Sequence, residues 1–595
     1  MQTSTDGTRK PHMVSPGTIA LERDSYGATA LADTFDRSIH AGIARLTAGL
    51  DPAAIAAAYA DWVSHLAASP GQQLRLVEKF ASKLLRFYDY LVRSAYGTRR
   101  AAACIEPLPQ DHRFRAAAWQ RWPYNLIHQS FLLQQQWWHN AMTGNRGVTR
   151  HHEQVVSFAT RQWLDMFCPA NFAPTNPEVV DRTLGEAGFN LVRGMDHLID
   201  DALDAVGHVP SASALEVGRD IAATRGKVIY RNRLMELIRY SPVTGVARPE
   251  PVLVVPAWIM KYYILDLSPR NSLVRYLVGR GYTVFMISWK NPGPEDRDLS
   301  LDDYRVLGIR AALDVIGELI PAARVHAAGY CLGGTLLAIA AAAMARDGDD
   351  RLASATFLAA QTDFTDAGEL TLFIDESQVA FLEDLMWEQG FLDAGKMAGA
   401  FQLLRSNDLV WSRLVREYLL GERETPDDLM TWNADATRMP YRMHADYLRK
   451  LFLDNDLAEG RYEVDGKPIS LGDVRLPLFV VGTERDHVAP WPSVYKLHIQ
   501  TDSDLTFVLA SGGHNVGIVA PPDDQPGQHY RAGCRLPGGR YLDAETWRRS
   551  SPVVSGSWWP RWIEWLDAHS GEPRSFSDNT STALCDAPGE YVLTR

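Results

Sequence analysis

One turn in this chain fits few folds. Arg324-Val325-His326-Ala327-Ala328 reads as a largely apolar strand, Gly329-Tyr330-Cys331-Leu332-Gly333-Gly334 follows, and an Ala/Leu-rich stretch runs out from Thr335 to Ala345. Strand, sharp turn and helix form the setting that lifts one side chain above a sheet as a nucleophile. Glycines flank the central residue because such a turn leaves no room for side chains on its neighbours. The usual occupant is Ser, and here it is Cys331. A thiol is intrinsically more nucleophilic and forms thioesters, so this turn points to acyl transfer through a thioester. The bland reading is a buried Cys in a tight turn; the glycines and the strand-to-helix setting favour the nucleophile.

At 595 residues the chain exceeds one hydrophobic core and implies two or three domains. The net charge of -12 argues against a general nucleic-acid binder. Seventeen Trp suggest large apolar interfaces or an apolar substrate path. Cys104, Cys168, Cys331, Cys534 and Cys585 are scattered and odd in number, which fits neither a zinc site nor a disulfide framework. A reducing cytosol suits them. Met1 to Asp24 lacks the apolar core of a signal peptide. Ala327 to Ala345 carries no charge, but the glycine turn within it reads as buried strand, elbow and helix rather than a transmembrane segment.

Residues 1–30 are polar with Pro and Gly and are expected to be disordered. Residues 31–212 read as a helical N-terminal domain. There Val77, Phe80, Leu84, Phe87 and Leu91 recur at helical spacing, with Lys79, Lys83 and Arg86 off the stripe. That face could serve an interface such as a membrane or lipid-like particle; a core-facing stripe is the favoured reading. The adjacent His151 and His152 lack ligand spacing and read as surface histidines. From 213 to 595 the texture changes. Pro251–Val255, Thr283–Ser288, Val325–Ala328, Ala355–Ala359, Leu478–Val481 and Leu505–Leu509 read as buried strands, with Tyr304–Ile320 and Thr335–Ala345 as crossover helices. Such alternation means a parallel sheet covered on both faces. With the elbow it gives an α/β fold of the α/β-hydrolase type. Residues 366–470 interrupt the rhythm with Leu-, Trp- and charge-rich helical sequence, as a lid insertion would.

In that fold the chain order is nucleophile, acid, His. Of the six histidines after Cys331, His514 alone comes just after a strand, in Ser511-Gly512-Gly513-His514. His444 lies in the lid, His498 reads as helical, and His529 and His569 fall in loop and terminal-helix settings. Asp486 follows the strand Leu478–Val481 and precedes His514 by 28 residues; Asp363 and, more weakly, Glu484 are its rivals. His487 reads as a group supporting the base. The oxyanion donors are expected to be the backbone N–H of Leu332, next to the nucleophile, and that of Ile259 in Pro256-Ala257-Trp258-Ile259-Met260-Lys261.

With these residues in place the chain resembles the polyhydroxyalkanoate synthases, most closely the short-chain, single-subunit type. The resemblance rests on Gly329–Gly334, on Val255-Pro256-Ala257-Trp258-Ile259-Met260-Lys261-Tyr262-Tyr263-Ile264-Leu265-Asp266-Leu267, on Trp432-Asn433-Ala434-Asp435-Ala436-Thr437, on Asp486-His487-Val488-Ala489-Pro490-Trp491 and on Gly512-Gly513-His514-Asn515. Gly556-Ser557-Trp558-Trp559-Pro560-Arg561-Trp562 matches near the end, and Trp119-Gln120 and Asn171-Phe172 to Asn176-Pro177-Glu178 match in the N-terminal region. Ala257 and Met260 depart from the pattern beside the expected oxyanion donor, and the first hundred residues match weakly.

The resemblance implies that a (3R)-hydroxyacyl-CoA, in the first place 3-hydroxybutyryl-CoA, acylates Cys331 while His514 takes the thiol proton and CoA leaves. In that family Asp486 would activate the 3-hydroxyl of the acyl unit for elongation, beyond orienting His514. It further implies a polyester held on the enzyme, a cytoplasmic protein at the surface of polyester granules, a homodimer, and no cofactor, since CoA belongs to the substrate. A polyester or thioester hydrolase of the same fold is the alternative, and a non-catalytic granule scaffold a more remote one.

Overall fold

The computed structural model describes residues 26–47, 49–96, 102–205, 215–393, 395, 410–423, 425–522, 527–576 and 583–594. Most of the stretch expected to be disordered lies outside these residues, but a helix already opens at Tyr26. Among the described residues seven α-helices precede the sheet: α1 Tyr26–Leu46, α2 Pro52–Ala67, α3 Pro70–Tyr96, α4 Tyr124–Met142, α5 Arg150–Met166, α6 Pro177–Gly185 and α7 Phe189–Ala205. Helix α2 is started by Asp51, whose carboxylate accepts the N–H groups of Ala53 and Ala54, with Pro52 at the first helical position.

The expected core-facing stripe of α3 is not in the core. Val77, Phe80 and Leu84 are 66%, 50% and 53% exposed. Helix α3 packs instead through Leu76 and Tyr90, both buried, while the Trp137 indole of α4 donates to the Leu76 carbonyl at 3.1 Å. His151 and His152 are not surface groups either. His152 Nδ1 lies 2.6 Å from Asp61 of α2, and His151 Nε2 lies 3.5 Å from Asp375. Both histidines are half-buried where helices meet, which residue spacing along one helix cannot reveal.

An eleven-stranded sheet follows. Its strands are β1 Lys227–Arg231, β2 Met235–Tyr240, β3 Val252–Val255, β4 Val284–Trp289, β5 Val325–Tyr330, β6 Leu352–Leu358, β7 Leu478–Thr483, β8 Leu505–Ala510, β9 His529–Arg535, β10 Val553–Ser555 and β11 Cys585–Asp586. The spatial order is β10-β9-β8-β7-β6-β5-β3-β4-β2-β1-β11. The six strands read from the sequence are the contiguous parallel block from β8 to β4. The sheet as a whole is mixed, because both edges are antiparallel. His529, expected in a loop, opens the antiparallel strand β9.

The parallel strands are buried on both faces. Helix α8, Leu332–Asp347, is buried without interruption from Leu332 to Ala343. Its small side chains let it lie close against the sheet, which is why an Ala-rich sequence serves there. Tyr304–Ile320, expected as one helix, is broken by a π-helical turn over Arg305–Arg310. Much of the Trp content is structural. Trp558, Trp559 and Trp562 are almost wholly buried around the helix Trp559–Ala568, and each indole N–H finds an acceptor.

Between β6 and β7 the insertion contributes α9 Glu376–Gln389, α10 Asp428–Ala434 and α11 Tyr441–Tyr447. The N-terminal helices grip this insertion. Ala41 and Ala44 of α1 pack on Phe381 and Leu385 of α9, His40 bonds Asp384 at 2.7 Å, and Arg45 pairs with Glu388 at 2.7 Å.

Candidate active site

Cys331 sits between β5 and α8 with φ +52° and ψ −124°. A non-glycine residue there is strained, and the neighbourhood holds it in place. A Cβ on Gly333 would come 2.1 Å from the Val255 carbonyl oxygen, and one on Gly329 would come 2.4 Å from the Cα of Gly334. The glycines are therefore required by close backbone approach, as the sequence suggested. As the residue capping α8, Cys331 stands at the positive end of the helix dipole. The N–H of Leu332, first in that helix, has no acceptor within the helix and is available beside the sulfur.

His514 arrives on the loop after β8, which turns at Gly512 with φ +104°. The far side of this loop is fixed by Trp558 and Trp559, whose indoles donate to the carbonyls of Gly517 and Ile518 at 2.9 and 3.0 Å. His514 Nδ1 is 2.8 Å from Asp486 Oδ2, and the imidazole lies within electrostatic reach of the Cys331 sulfur. Burial alone would lower the imidazole's pKa. The Asp486 carboxylate and the Cys331 sulfur outweigh it and hold the pKa well above its usual value.

The Asp486 side chain is 0% exposed. Its Oδ1 accepts the N–H groups of Val488 and Ala489 at 2.9 and 2.8 Å, and its Oδ2 accepts the Thr483 hydroxyl at 3.0 Å and His514. Burial works to raise this carboxyl's pKa, but the His514 charge and these donors bring it below the ordinary value. An acid satisfied on both oxygens is placed to fix the tautomer and orientation of His514.

The rivals lie elsewhere. Asp363 accepts the Thr365 N–H at 2.9 Å and pairs with Lys496 at 3.3 Å. Glu484 pairs with His529 at 3.3 Å. His487, expected to support the base, is exposed. The adjacent Val488 and Ala489 fill that role through their backbone N–H groups, because the turn after β7 points amides at the carboxylate. The other four cysteines are free, and burial raises their thiol pKa values, that of Cys168 to about 11.

Ile259 lies in the loop after β3, and the insertion clasps this loop. Its carbonyl accepts the Thr437 N–H at 3.0 Å, the Trp432 indole donates to the Lys261 carbonyl at 2.8 Å, and the Tyr263 hydroxyl donates to Asp435 at 2.8 Å. Thr437 also donates its hydroxyl to the Trp258 carbonyl. The segment Trp432–Thr437 thus shapes the loop expected to offer the second oxyanion donor. Sequence reasoning matched this segment without a role, since only its partner loop explains it. Tyr447, at the end of α11, was missed altogether. Burial, and next the nearby Cys331 sulfur, push its phenol pKa well above the usual value. His444, one turn earlier, is wholly buried, and burial lowers its pKa to about 4.

Together these groups can carry out acyl transfer. A thiol lies beside an imidazole that can take its proton, a carboxylate fixes the imidazole, and a helix N-terminus stands where negative charge would develop.

The chain is similar to known proteins over most of its length. Residues 110–277 match the model described as Poly-beta-hydroxybutyrate polymerase (PhaC) N-terminus, residues 30–72 match Poly-beta-hydroxybutyrate polymerase N terminal, and residues 250–521 match the alpha/beta hydrolase fold. The poly(3-hydroxyalkanoate) polymerase of Methylorubrum extorquens is 42% identical over 496 residues, covering 82% of this chain and 81% of its own. The PhaC subunit of the Rhizobium etli enzyme is 36% identical over 548 residues, covering 90% and 84%. That of Cupriavidus necator is 34% identical over 499 residues, covering 82% and 83%.

Proposed function

The chain belongs to the poly(3-hydroxyalkanoate) polymerase family of acyltransferases, and from that premise we propose that it polymerises (3R)-hydroxyacyl-CoA, in the first place 3-hydroxybutyryl-CoA, through a thioester on Cys331. The hydrogen bond of His514 to the buried Asp486 carboxylate, with the Cys331 sulfur in electrostatic reach of the imidazole, carries this reading.

His514 takes the thiol proton as the sulfur attacks the thioester carbonyl. The tetrahedral oxyanion is met by the N–H of Leu332 and, in this proposal, by that of Ile259. CoA leaves as the thiol and the acyl group stays on Cys331. The exchange of one thioester for another is nearly balanced in energy. The 3-hydroxyl of a further hydroxyacyl-CoA then gives up its proton to His514 and attacks the acyl-cysteine. The C–S bond breaks, the Cys331 sulfur leaves and takes that proton back from His514, and the lengthened acyl-CoA acylates Cys331 again with release of CoA. The resulting ester is more stable than the thioester, which drives the chain forward. The saturated hydrogen bonding of Asp486 favours a role through His514 over direct contact with the hydroxyl.

The proposal assigns residues 31–212 to a helical domain and 213–595 to the catalytic domain, with the lid at 366–470. It places the protein in the cytoplasm at polyester granules, as a homodimer, with the exposed apolar faces of the N-terminal helices as the contact surface. Among the described residues no helix is long and apolar enough to cross a membrane. The test is incubation of wild type and Cys331→Ala with (3R)-hydroxybutyryl-CoA, following CoA release and insoluble product. Polymer from wild type alone supports the reading, and free 3-hydroxybutyrate without polymer would replace it with the hydrolase.

A further inference from the structure

Two residues of the catalytic motifs have no part in the mechanism above: Tyr330, which precedes the nucleophile, and Asn515, which follows the base. The structure joins them. The Tyr330 hydroxyl donates to Asn515 Oδ1 at 2.6 Å across a separation of 185 residues. The Tyr330 ring, 2% exposed, lies 5.6 Å from the His514 imidazole at a tilt of 40°. Tyr330 is the last residue of β5, so its position is set by the sheet. Asn515 rides on the loop that carries His514. Asn515 Nδ2 in turn donates to Asn433 Oδ1, at 3.4 Å, in the insertion.

We propose that Tyr330 and Asn515 act as one positioning pair, through which the rigid elbow strand sets the distance and angle of His514 to Cys331 and to which Asn433 ties the lid. The inference rests on the assignment of Cys331 and His514 as nucleophile and base. Its physical basis is rigidity. His514 sits on a loop that turns at glycine, and a loop is a poor platform for a base unless an ordered element fixes it. Trp558 and Trp559 fix the loop beyond Gly517. The Tyr330 bond fixes it one residue from the imidazole, on the side facing the nucleophile.

The two partners should respond unequally to loss. Asn515→Leu strands a hydroxyl in the buried interior, where it cannot find water. Tyr330→Phe strands only the amide of a half-buried side chain, which can be hydrated. Replacing both by apolar groups leaves no buried group unpaired, because Asn433, which loses the Nδ2 donor, is exposed, so the double variant should recover.

The experiment measures two quantities on wild type, Tyr330→Phe, Asn515→Leu and the double variant. The first is single-turnover CoA release from (3R)-hydroxybutyryl-CoA. The second is the pH dependence of Cys331 alkylation by iodoacetamide, which reports how the placement of His514 acts on the thiol and needs no substrate. Expected are a loss of about tenfold in the CoA-release rate for Asn515→Leu, about threefold for Tyr330→Phe, and a double variant within about threefold of wild type. The alkylation midpoint should move upward in Asn515→Leu and return in the double variant. Losses that multiply in the double variant, or alkylation profiles that superimpose on wild type in both single variants, would overturn the pair. If wild type alkylates normally but releases no CoA, the acyl-transfer reading fails while the pair is still judged by its alkylation profiles.

Discussion

The helical N-terminal region and the α/β core are built on opposite terms. In the core, whole strands and one whole helix face are buried, and side chains are excluded even at Gly329 and Gly333 because backbone meets backbone. In the N-terminal region, apolar stripes of equal regularity lie open. Leu74 and Leu85 of α3 and Phe189 and Val192 of α7 are exposed by more than half. A monomer rarely leaves contiguous apolar faces of that kind without a use for them. The core therefore has the density that holds a strained nucleophile, and the N-terminal helices offer surface. The two regions meet at the insertion, which α1 grips on one side while Trp432–Thr437 clasps the loop after β3, proposed above to hold an oxyanion donor, on the other.

Four substitutions probe this contrast, from the largest effect to the smallest. Cys331→Ala should reduce CoA release by roughly 10³-fold or more without unfolding the protein, since a nucleophile is removed and a small residue fits. Retained release would move the chemistry out of the elbow. Gly333→Ala should destabilise the core by about 3 kcal/mol or more in urea unfolding, because the new methyl group meets the backbone of Val255 and Pro256. A loss under about 0.5 kcal/mol would mean the elbow is loosely packed.

Asp486→Asn should slow acylation by roughly 10²-fold. It should also change the pH dependence of stability. The folded-state pKa of Asp486 is depressed, so its contribution is present above about pH 4 and lost as pH falls through the lowered value. The folded-state pKa of His514 is raised, so its contribution is full below about pH 6.5 and lost as pH rises through the raised value. The Tm gap between wild type and Asp486→Asn should thus be widest between about pH 4 and 6.5. A gap constant across pH would separate the pair from stability. Leu84→Glu on the open face of α3 should change stability by no more than about 0.5 kcal/mol while weakening sedimentation with polyester granules. A loss of several kcal/mol would show that α3 belongs to a core after all.

The core was the legible half. Its six parallel strands are continuous apolar runs because both faces are covered, so each could be read from composition alone. The antiparallel strands β1, β2, β9, β10 and β11 were missed, β1 and β9 for the converse reason. Lys227-Val228-Ile229-Tyr230-Arg231 and His529-Tyr530-Arg531-Ala532-Gly533-Cys534-Arg535 are half-buried and carry charge at their ends, which does not distinguish them from loops. Cys331, Asp486 and His514 could be named because strand ends and glycines mark their places. Tyr330, Asn515, Tyr447 and the Trp432–Thr437 clasp could not, since each has meaning only beside a partner distant in sequence. The α3 stripe misled because helical periodicity shows which face is apolar and says nothing of what covers it.

The most direct test of the central claim is to quench wild type with acid during turnover of (3R)-hydroxybutyryl-CoA and map the acyl group by mass spectrometry of its peptides. The account predicts a hydroxyacyl adduct, removable by hydroxylamine, on the peptide containing Cys331 and absent from Cys331→Ala. An adduct on Cys104, Cys168, Cys534 or Cys585 instead, or polymer formed with no adduct at Cys331, would contradict it.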